Sequence, residues 1–391
     1  GPPAGKLGFT KNKRESSVAP MRVEQIQPGD VSTLTGAHLV LVFGNLDALK
    51  LPGFRASLRS KYPNAHIVGC STAGEIAGDH VRDETVHLTA VEFSNTRVQS
   101  AFVHLPSHGS SYSAARSLAM AIPSRDLRHA IVFSEGIRIN GSELSRGLKD
   151  GLPPNVSVTG GLAADGDRFG QTWVLSNDAE GPDHAVIVGL YGPSLRVGFG
   201  SLGGWDSFGP ERRITSSSGN RLTGLDGESA LALYKKYLGE HASSLPSSAL
   251  LFPLAIRAEG DDRFLVRTIL GIDESDQSLI FAGDMPQGWL ARLMKANFDR
   301  LIDGAEGAAT TASRRIGNTS PELALLISCV GRKLVLKQRV EEEIEAVRSV
   351  VGPGAAITGF YSYGEIAPVS DGSPCELHNQ TMTITTLAEG E

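Results

Sequence analysis

The sequence predicts a mixed α+β protein, an α/β arrangement of mixed sheets flanked by helices, and a repeat predicts it. A short apolar strand, a helix-like segment and a second strand ending in a Gly-rich turn occur three times. LVLVF (39–43) leads to IVGCSTAGEIAG (67–78), AIVFS (130–134) to VTGGLAADG (158–166), and ALLIS (324–328) to ITGFYSYGEIAP (357–368). The spacing supports a true repeat: Val40 to Ile131 and Gly69 to Gly160 are both 91 residues apart. Gly69, Gly74 and Glu75 recur 290 residues later as Gly359, Gly364 and Glu365. Self-similarity at fixed spacing is an architectural signal. Alternating strands and helices with interspersed hairpins then give mixed sheets built from repeated strand-helix-strand-Gly-turn-strand units in two lobes.

The first unit begins with a strand at 38–44 and a helix over 52–62, where Phe54, Leu58 and Tyr62 form an apolar stripe. A strand at 65–70 runs into the Gly turn. Strands at 85–93 and 97–105 alternate in pattern and read as an antiparallel pair, and a helix at 112–121 closes the unit. The second unit has a strand at 129–134, then a helix at 141–149 capped by Asn140 or Ser142 and stopped by Pro153-Pro154. Strands at 156–160, 171–176, 184–191 and 195–201 follow. The TSSSGN stretch (215–220) reads as an exposed turn and places the lobe boundary, so residues 37–226 and 227–388 form the two lobes. Beyond it come a helix at 227–238, strands at 248–256, 264–270 and 278–282, and a helix at 288–302. A Gly/Ala/Thr-rich link (304–313) leads to a strand at 323–329. On the helix at 339–350, Val340, Ile344 and Val347 bury one stripe and leave Glu341 to Glu343 and Glu345 solvated. The last strand is 380–387. Residues 1–20 read as a leader or tag.

Composition excludes several classes. Forty per cent hydrophobic and 20% charged residues are those of a globular protein with a sizeable core. No apolar run reaches the ~18 residues of a membrane span, and the N-terminus lacks a signal-peptide core. A net charge of −6 without a dense basic block argues against nucleic-acid binding. Cys70, Cys329 and Cys375 have no CxxC spacing, which suits a reduced, cytoplasmic setting. GFGSLG (198–203) satisfies a dinucleotide fingerprint, but the GWDSFGP that follows opposes the helix this needs.

The 45 glycines cluster at strand ends, where they permit tight bends or close approach of a ligand to backbone. Gly-x-x-x-x-Gly-Glu in copies one and three makes a site shared by Glu75 and Glu365 a natural expectation; copy two exchanges the order to Asp165-Gly166. Cys70, with Ser71, Thr72 and Glu75 close by, reads as a nucleophile on a strand-to-turn elbow or as a small buried thiol. Arg332 at a strand end can clamp a carboxylate or pair with Glu365. Phe360, Tyr361 and Tyr363 can wall an apolar pocket or pack in the core. His378 shares parity with Met382 and Ile384, so its imidazole would face apolar neighbours as an iron ligand or bond the loop backbone.

GCSTAGEIAG (69–78), GGLAADG (160–166) and GWDSFGP (204–210) resemble the FIST N domain, and LISCVGRK (326–333), GFYSYGEIAPV (359–369) and CELHNQTMTITTL (375–387) the FIST C domain. The resemblance covers nearly all of 37–388. It implies a cytoplasmic, non-enzymatic sensor in signal transduction that binds a small ligand, with Cys70, Ser71, Thr72, Glu75, Arg332, Tyr361, Tyr363 and Glu365 as candidate ligand-binding residues. The NosP-like branch implies haem, held by His378 as cofactor and metal ligand, nitric oxide as signal, and a histidine kinase or cyclic-di-GMP enzyme as partner in a two-component system. An amino-acid sensor without haem, and a hydrolase or transferase using Cys70, are the alternative expectations.

Overall fold

The computed structural model describes residues 20–390, so the leader expected at 1–20 lies almost wholly outside the described residues. The repeat becomes three six-stranded sheets of one design. The first runs Arg22–Ile26, Val86–Glu92, Leu39–Gly44, His66–Ser71, Val174–Leu175, Glu180–Gly181. The second runs Arg97–His104, His184–Tyr191, Leu127–Ser134, Ser157–Leu162, Gly364–Pro368, Cys375–His378. The third runs Leu195–Leu202, Met382–Glu389, Leu323–Cys329, Ala356–Ser362, Glu75–Ala77, His80–Arg82. At the centre of each lies a parallel pair joined by a helical crossover, and the other pairings are antiparallel. Buried on both faces, these central strands must read as continuous apolar runs. That is why LVLVF, AIVFS and ALLIS were visible.

The hairpin after each Gly turn does not stay with its own sheet. That of copy one (Glu75–Arg82) pairs with Ala356–Ser362 in the third sheet. That of copy three (Gly364–His378) pairs with Ser157–Leu162 in the second, and the short hairpin of copy two pairs with His66–Ser71 in the first. The exchange is cyclic and locks the two lobes together.

The inner faces of the three sheets share one core, where Phe43 meets Phe133 and Phe360 at centroid distances of 5.4 and 4.7 Å. Phe360 occupies the repeat position held by Cys70 and Gly161 in the other copies. A Cβ on Gly161 would come within 2.6 Å of Ile327 and 3.4 Å of the Phe360 ring, so the small residue leaves room for the large one. Helices cover the outer faces: Phe54–Lys61 on the first sheet, Ser111–Met120 and Gly141–Gly151 on the second, Phe298–Arg315 and Val340–Val351 on the third.

The chain between Trp205 and Ala296 leaves this assembly and builds a separate antiparallel β-unit. Its strand order is Leu265–Arg267, Leu254–Arg257, Leu290–Ala296, Trp205–Ser218, Arg221–Leu225, Ser278–Phe281, Ile269–Asp273, around its own core with helix Ala230–Leu238. The two edge strands are consecutive in sequence, separated by Thr268 alone, so this residue is the seam of the unit.

Several expectations are corrected. The strands at 85–93 and 97–105 form (Val86–Glu92, Arg97–His104) but join different sheets rather than each other. The helix expected over 288–302 is a strand, Leu290–Ala296, followed by helix Phe298–Arg315, which absorbs the supposed link at 304–313. Its small residues are there for close packing: a Cβ on Gly198 or Gly200 of strand Leu195–Leu202 would strike the carbonyls of Ala312 and Ala308 at 1.9 and 2.2 Å. GWDSFGPERRIT belongs to a fourteen-residue strand, Trp205–Ser218, despite its Gly-Pro. Strand 380–387 begins only at Met382.

Candidate functional site

The glycines opening each turn serve the close contact between parallel strands. A Cβ on Gly69, Gly160 or Gly359 would lie 1.8, 2.0 and 1.8 Å from the carbonyl oxygens of Val42, Val132 and Leu326 on the neighbouring parallel strand. The backbones touch, so only hydrogen fits. Gly74 does need a positive φ of 131°, and its missing side chain makes room for the Lys333 ammonium.

Glu75 and Glu365 do not converge. Each closes a clasp between its own turn and the next antiparallel strand. The Thr72 hydroxyl donates to Glu75 at 2.5 Å, as do the Thr85 hydroxyl at 2.6 Å and its amide at 3.3 Å. Ser362 donates to Glu365 at 2.7 Å, and the Thr381 hydroxyl and amide at 2.9 and 3.2 Å. Burial raises the pKa of both carboxyls, that of Glu365 to about 8. Copy two has Ala163 in place of the hydroxyl, and Asp165 instead caps the amides of Gly170 and Gln171 at 2.9 Å.

The remaining expected residues are buried as well. The Cys70 thiol sits wholly inside the shared core, and desolvation raises its pKa well above the usual thiol range. Thiolate is the reactive form, so this environment opposes a nucleophile. Ser71 accepts the Trp173 amide at 2.9 Å. Arg332 pairs with Glu343 rather than with Glu365. Its guanidinium donates to Glu343 at 2.8 Å and to the carbonyls of Leu301 and Gly203 at 2.7 and 3.1 Å. Glu343, expected in solvent, is therefore fully buried, and it also accepts the Tyr361 hydroxyl at 2.6 Å. Phe360 is core, and Tyr363 stacks on Phe169 at 4.2 Å while bonding Asp165.

His378 is the exception among these candidates, because it lines a cavity of about 460 Å³ between the β-unit and the three-sheet body. It does not share a face with Met382 and Ile384. The chain breaks at 379–381, leaving His378 in the second sheet and Met382 in the third. The His378 Nε2–H donates to the Ala367 carbonyl at 3.0 Å, which fixes the tautomer and leaves the Nδ1 lone pair as the ring's remaining donor atom. Desolvation lowers its pKa to about 4, so the ring is neutral near pH 7.

The cavity walls come from residues the sequence did not single out. Trp205, Trp289, Leu202, Leu265 and Val266 supply apolar surface; Ser201, Thr381 and Asn379 supply polar groups. Arg263, held by Asp261 at 3.0 Å, and Arg300, held by Asp206 at 2.6 Å, are among its lining residues and are largely exposed. Two of the three tryptophans flanking Gly-rich segments was the available signal; their convergence depends on the β-unit folding back. Among the described residues no group of three or more His, Cys, Asp or Glu side chains could hold a metal ion, so a metal here would rely on His378 and a ligand of its own. No helix of the described residues is long and apolar enough to cross a membrane.

A cyanuric acid hydrolase from A. caulinodans aligns with 95% of this chain and 100% of its own at 9% identity and a TM-score of 0.40. A second cyanuric acid hydrolase, described as an evolutionary innovation by structural concatenation, covers 95% and 99% at 10% identity and a TM-score of 0.35. Against the expectation of a chain that is not an enzyme stand these aligned solved chains, which are named as enzymes. At such scores the likeness carries neither their substrate nor their reaction to this chain. No curated protein matches. The FIST N domain matches residues 38–228 and the FIST C domain residues 230–368. The chain belongs to the FIST family, whose domains are small-ligand sensing modules of signalling proteins.

Proposed function

We propose that this chain senses a small ligand in the cavity beside His378 and that the ligand is haem, with nitric oxide as the signal and a histidine kinase or cyclic-di-GMP enzyme as the reader. One observation carries the reading: a neutral imidazole, its Nε2–H tied to a backbone carbonyl, lines a cavity walled by indoles. Ligating histidines ordinarily anchor the second ring nitrogen in this way. The volume of about 460 Å³ falls within the ~300–1,000 Å³ usual for ligand sites. Trp205 and Trp289 suit a flat apolar ring, and Arg263 and Arg300 suit its carboxylates. Haem iron supplies a coordination position for nitric oxide; the residues hold and orient the group.

Haemin titration tests the reading. Wild-type protein is expected to give a Soret band, and His378→Ala to shift it and weaken binding by about tenfold or more, some 1.4 kcal/mol. Cys70→Ser is expected to change neither. A flat wild-type spectrum overturns haem. The second reading, an amino-acid ligand, draws on the charges of both signs around the cavity, Asp261 and Glu376 beside Arg263 and Arg300. Amino-acid-induced shifts in melting temperature, lost in Arg300→Ala, separate it from haem.

A further inference from the structure

Three of the residues that line the cavity belong to the segment that joins the two bodies. His378, Asn379 and Thr381 line the cavity, and the segment they form with Gln380 grips the seam of the β-unit. The Thr268 amide donates to Asn379 Oδ1 at 3.1 Å, and Gln380 Nε2 donates to Thr268 Oγ1 at 3.1 Å and to the Leu250 carbonyl at 3.2 Å. On either side, Arg267 donates to the Leu377 carbonyl at 2.9 Å and the Trp205 indole to the Gln380 carbonyl at 2.9 Å. The other end is tied to the three-sheet body. Thr381 bonds Glu365, accepts from Ser201 at 3.2 Å, and its carbonyl accepts the Cys329 amide at 3.1 Å.

This grip is strained and incompletely satisfied. Gln380 has a φ of 63°, a left-handed conformation costly for a residue with a side chain, in a fully buried position. Asn379 Nδ2 and Gln380 Oε1 are both buried without a hydrogen-bond partner. Two buried orphans beside a backbone outlier make this arrangement costly to hold. The strand it grips is also a cavity wall: Leu265 and Val266 face the cavity, and Arg267 and Thr268 follow directly.

We propose that residues 378–381 are the element that transmits cavity occupancy to the β-unit, a step that rests on the cavity being the ligand site. An occupant pressing on His378 and Asn379 lets Gln380 leave its left-handed conformation and release Thr268. The seam of the β-unit then loosens while the three-sheet body stays intact. The ligand shifts the equilibrium only by its differential affinity for the gripped and released arrangements. The changed surface is therefore on the β-unit, the body that stands apart from the repeat.

The test needs no haem, so it is separate from the haemin titration. Cys70, Cys329 and Cys375 are buried, so a Leu202→Cys variant, at an exposed cavity-lining position outside the joint, can be labelled with a bimane maleimide. Hydrogen exchange of Leu254–Arg257 and Leu265–Arg267 is the readout. Labelling is expected to speed exchange there by about tenfold, the loss of one or two buried hydrogen bonds, and to leave Leu39–Gly44 and Leu323–Cys329 unchanged. In Gln380→Ala the same strands are expected to exchange fast already, with no further effect of the label. Thr268→Val removes the bond to Gln380 from the other side and repeats the comparison should Gln380→Ala fail to fold. Unchanged exchange after labelling, or equal acceleration by the label in these two variants, overturns the proposal.

Discussion

At the scale of single residues, the buried charges of this chain hold elements together. Arg332 is among the largest fully buried side chains, and its guanidinium binds Glu343 and two backbone carbonyls. Removing one partner strands the other charge in a low-dielectric interior, which costs roughly 3–5 kcal/mol. Arg332→Met alone is therefore expected to lower the unfolding free energy by about that amount, and Arg332→Met with Glu343→Met by markedly less, as read by urea denaturation. Equal losses in single and double variants would contradict the ion-pair account. The residues named from the repeat, Glu75 and Glu365, were legible as special because they recur at a fixed offset behind the same Gly turn. What clasps them was not, because Thr85 and Thr381 lie just before strands that sequence offers no reason to bring near.

At the scale of elements, the repeat was readable because each central strand is buried on both faces and each parallel pair touches backbone to backbone. Gly359→Ala puts a methyl within 1.8 Å of the Leu326 carbonyl. It is expected to cost at least about 3 kcal/mol, beyond ordinary overpacking because backbone cannot yield as a side chain does. Gly354, which has nothing within 4 Å of its would-be Cβ, is the control, and Gly354→Ala is expected to leave the melting temperature nearly unchanged. Elements whose partners are distant read less well. Helix Phe298–Arg315 looked like a link because its Gly, Ala and Thr fit a glycine-bearing strand, not because they favour coil. Strand Trp205–Ser218 was hidden by its Gly-Pro, tolerated where the pairing with Leu290–Ala296 is irregular. His378 was placed one sheet away from its expected neighbours by the left-handed Gln380, a break no parity count foresees.

At the scale of the whole molecule, burial of neutral histidines sets the response to acid. Desolvation lowers the pKa of His87 and His378 to about 4 and of His129 to about 3. Unfolded, they take up protons near pH 6.5. Their stabilising contribution is full above that pH and is lost as pH falls toward 4. Glu365, raised to about 8, and Glu75, raised less, act in the opposite sense, their penalty growing as pH rises from about 4.5. Three histidines outweigh these carboxyls below pH 6, so acidification is expected to destabilise the protein. Each net proton contributes up to ~1.4 kcal/mol per pH unit. Denaturation midpoints measured from pH 7 to 5 should fall, with a shallower slope in His129→Asn; a rise on acidification would refute the histidine account.

The sequence by itself determined the threefold repeat and its strand–helix–strand order, because those follow from local burial and local backbone contact, and its motifs carried the resemblance to the FIST family. Tertiary structure alone decided that each Gly-turn hairpin crosses to another sheet, and that residues 201–205, 258–266 and 376–381 meet around one cavity. Register and crossing depend on which edges are free once the sheets form. That is a property of the folded whole, and no stretch of chain carries it alone.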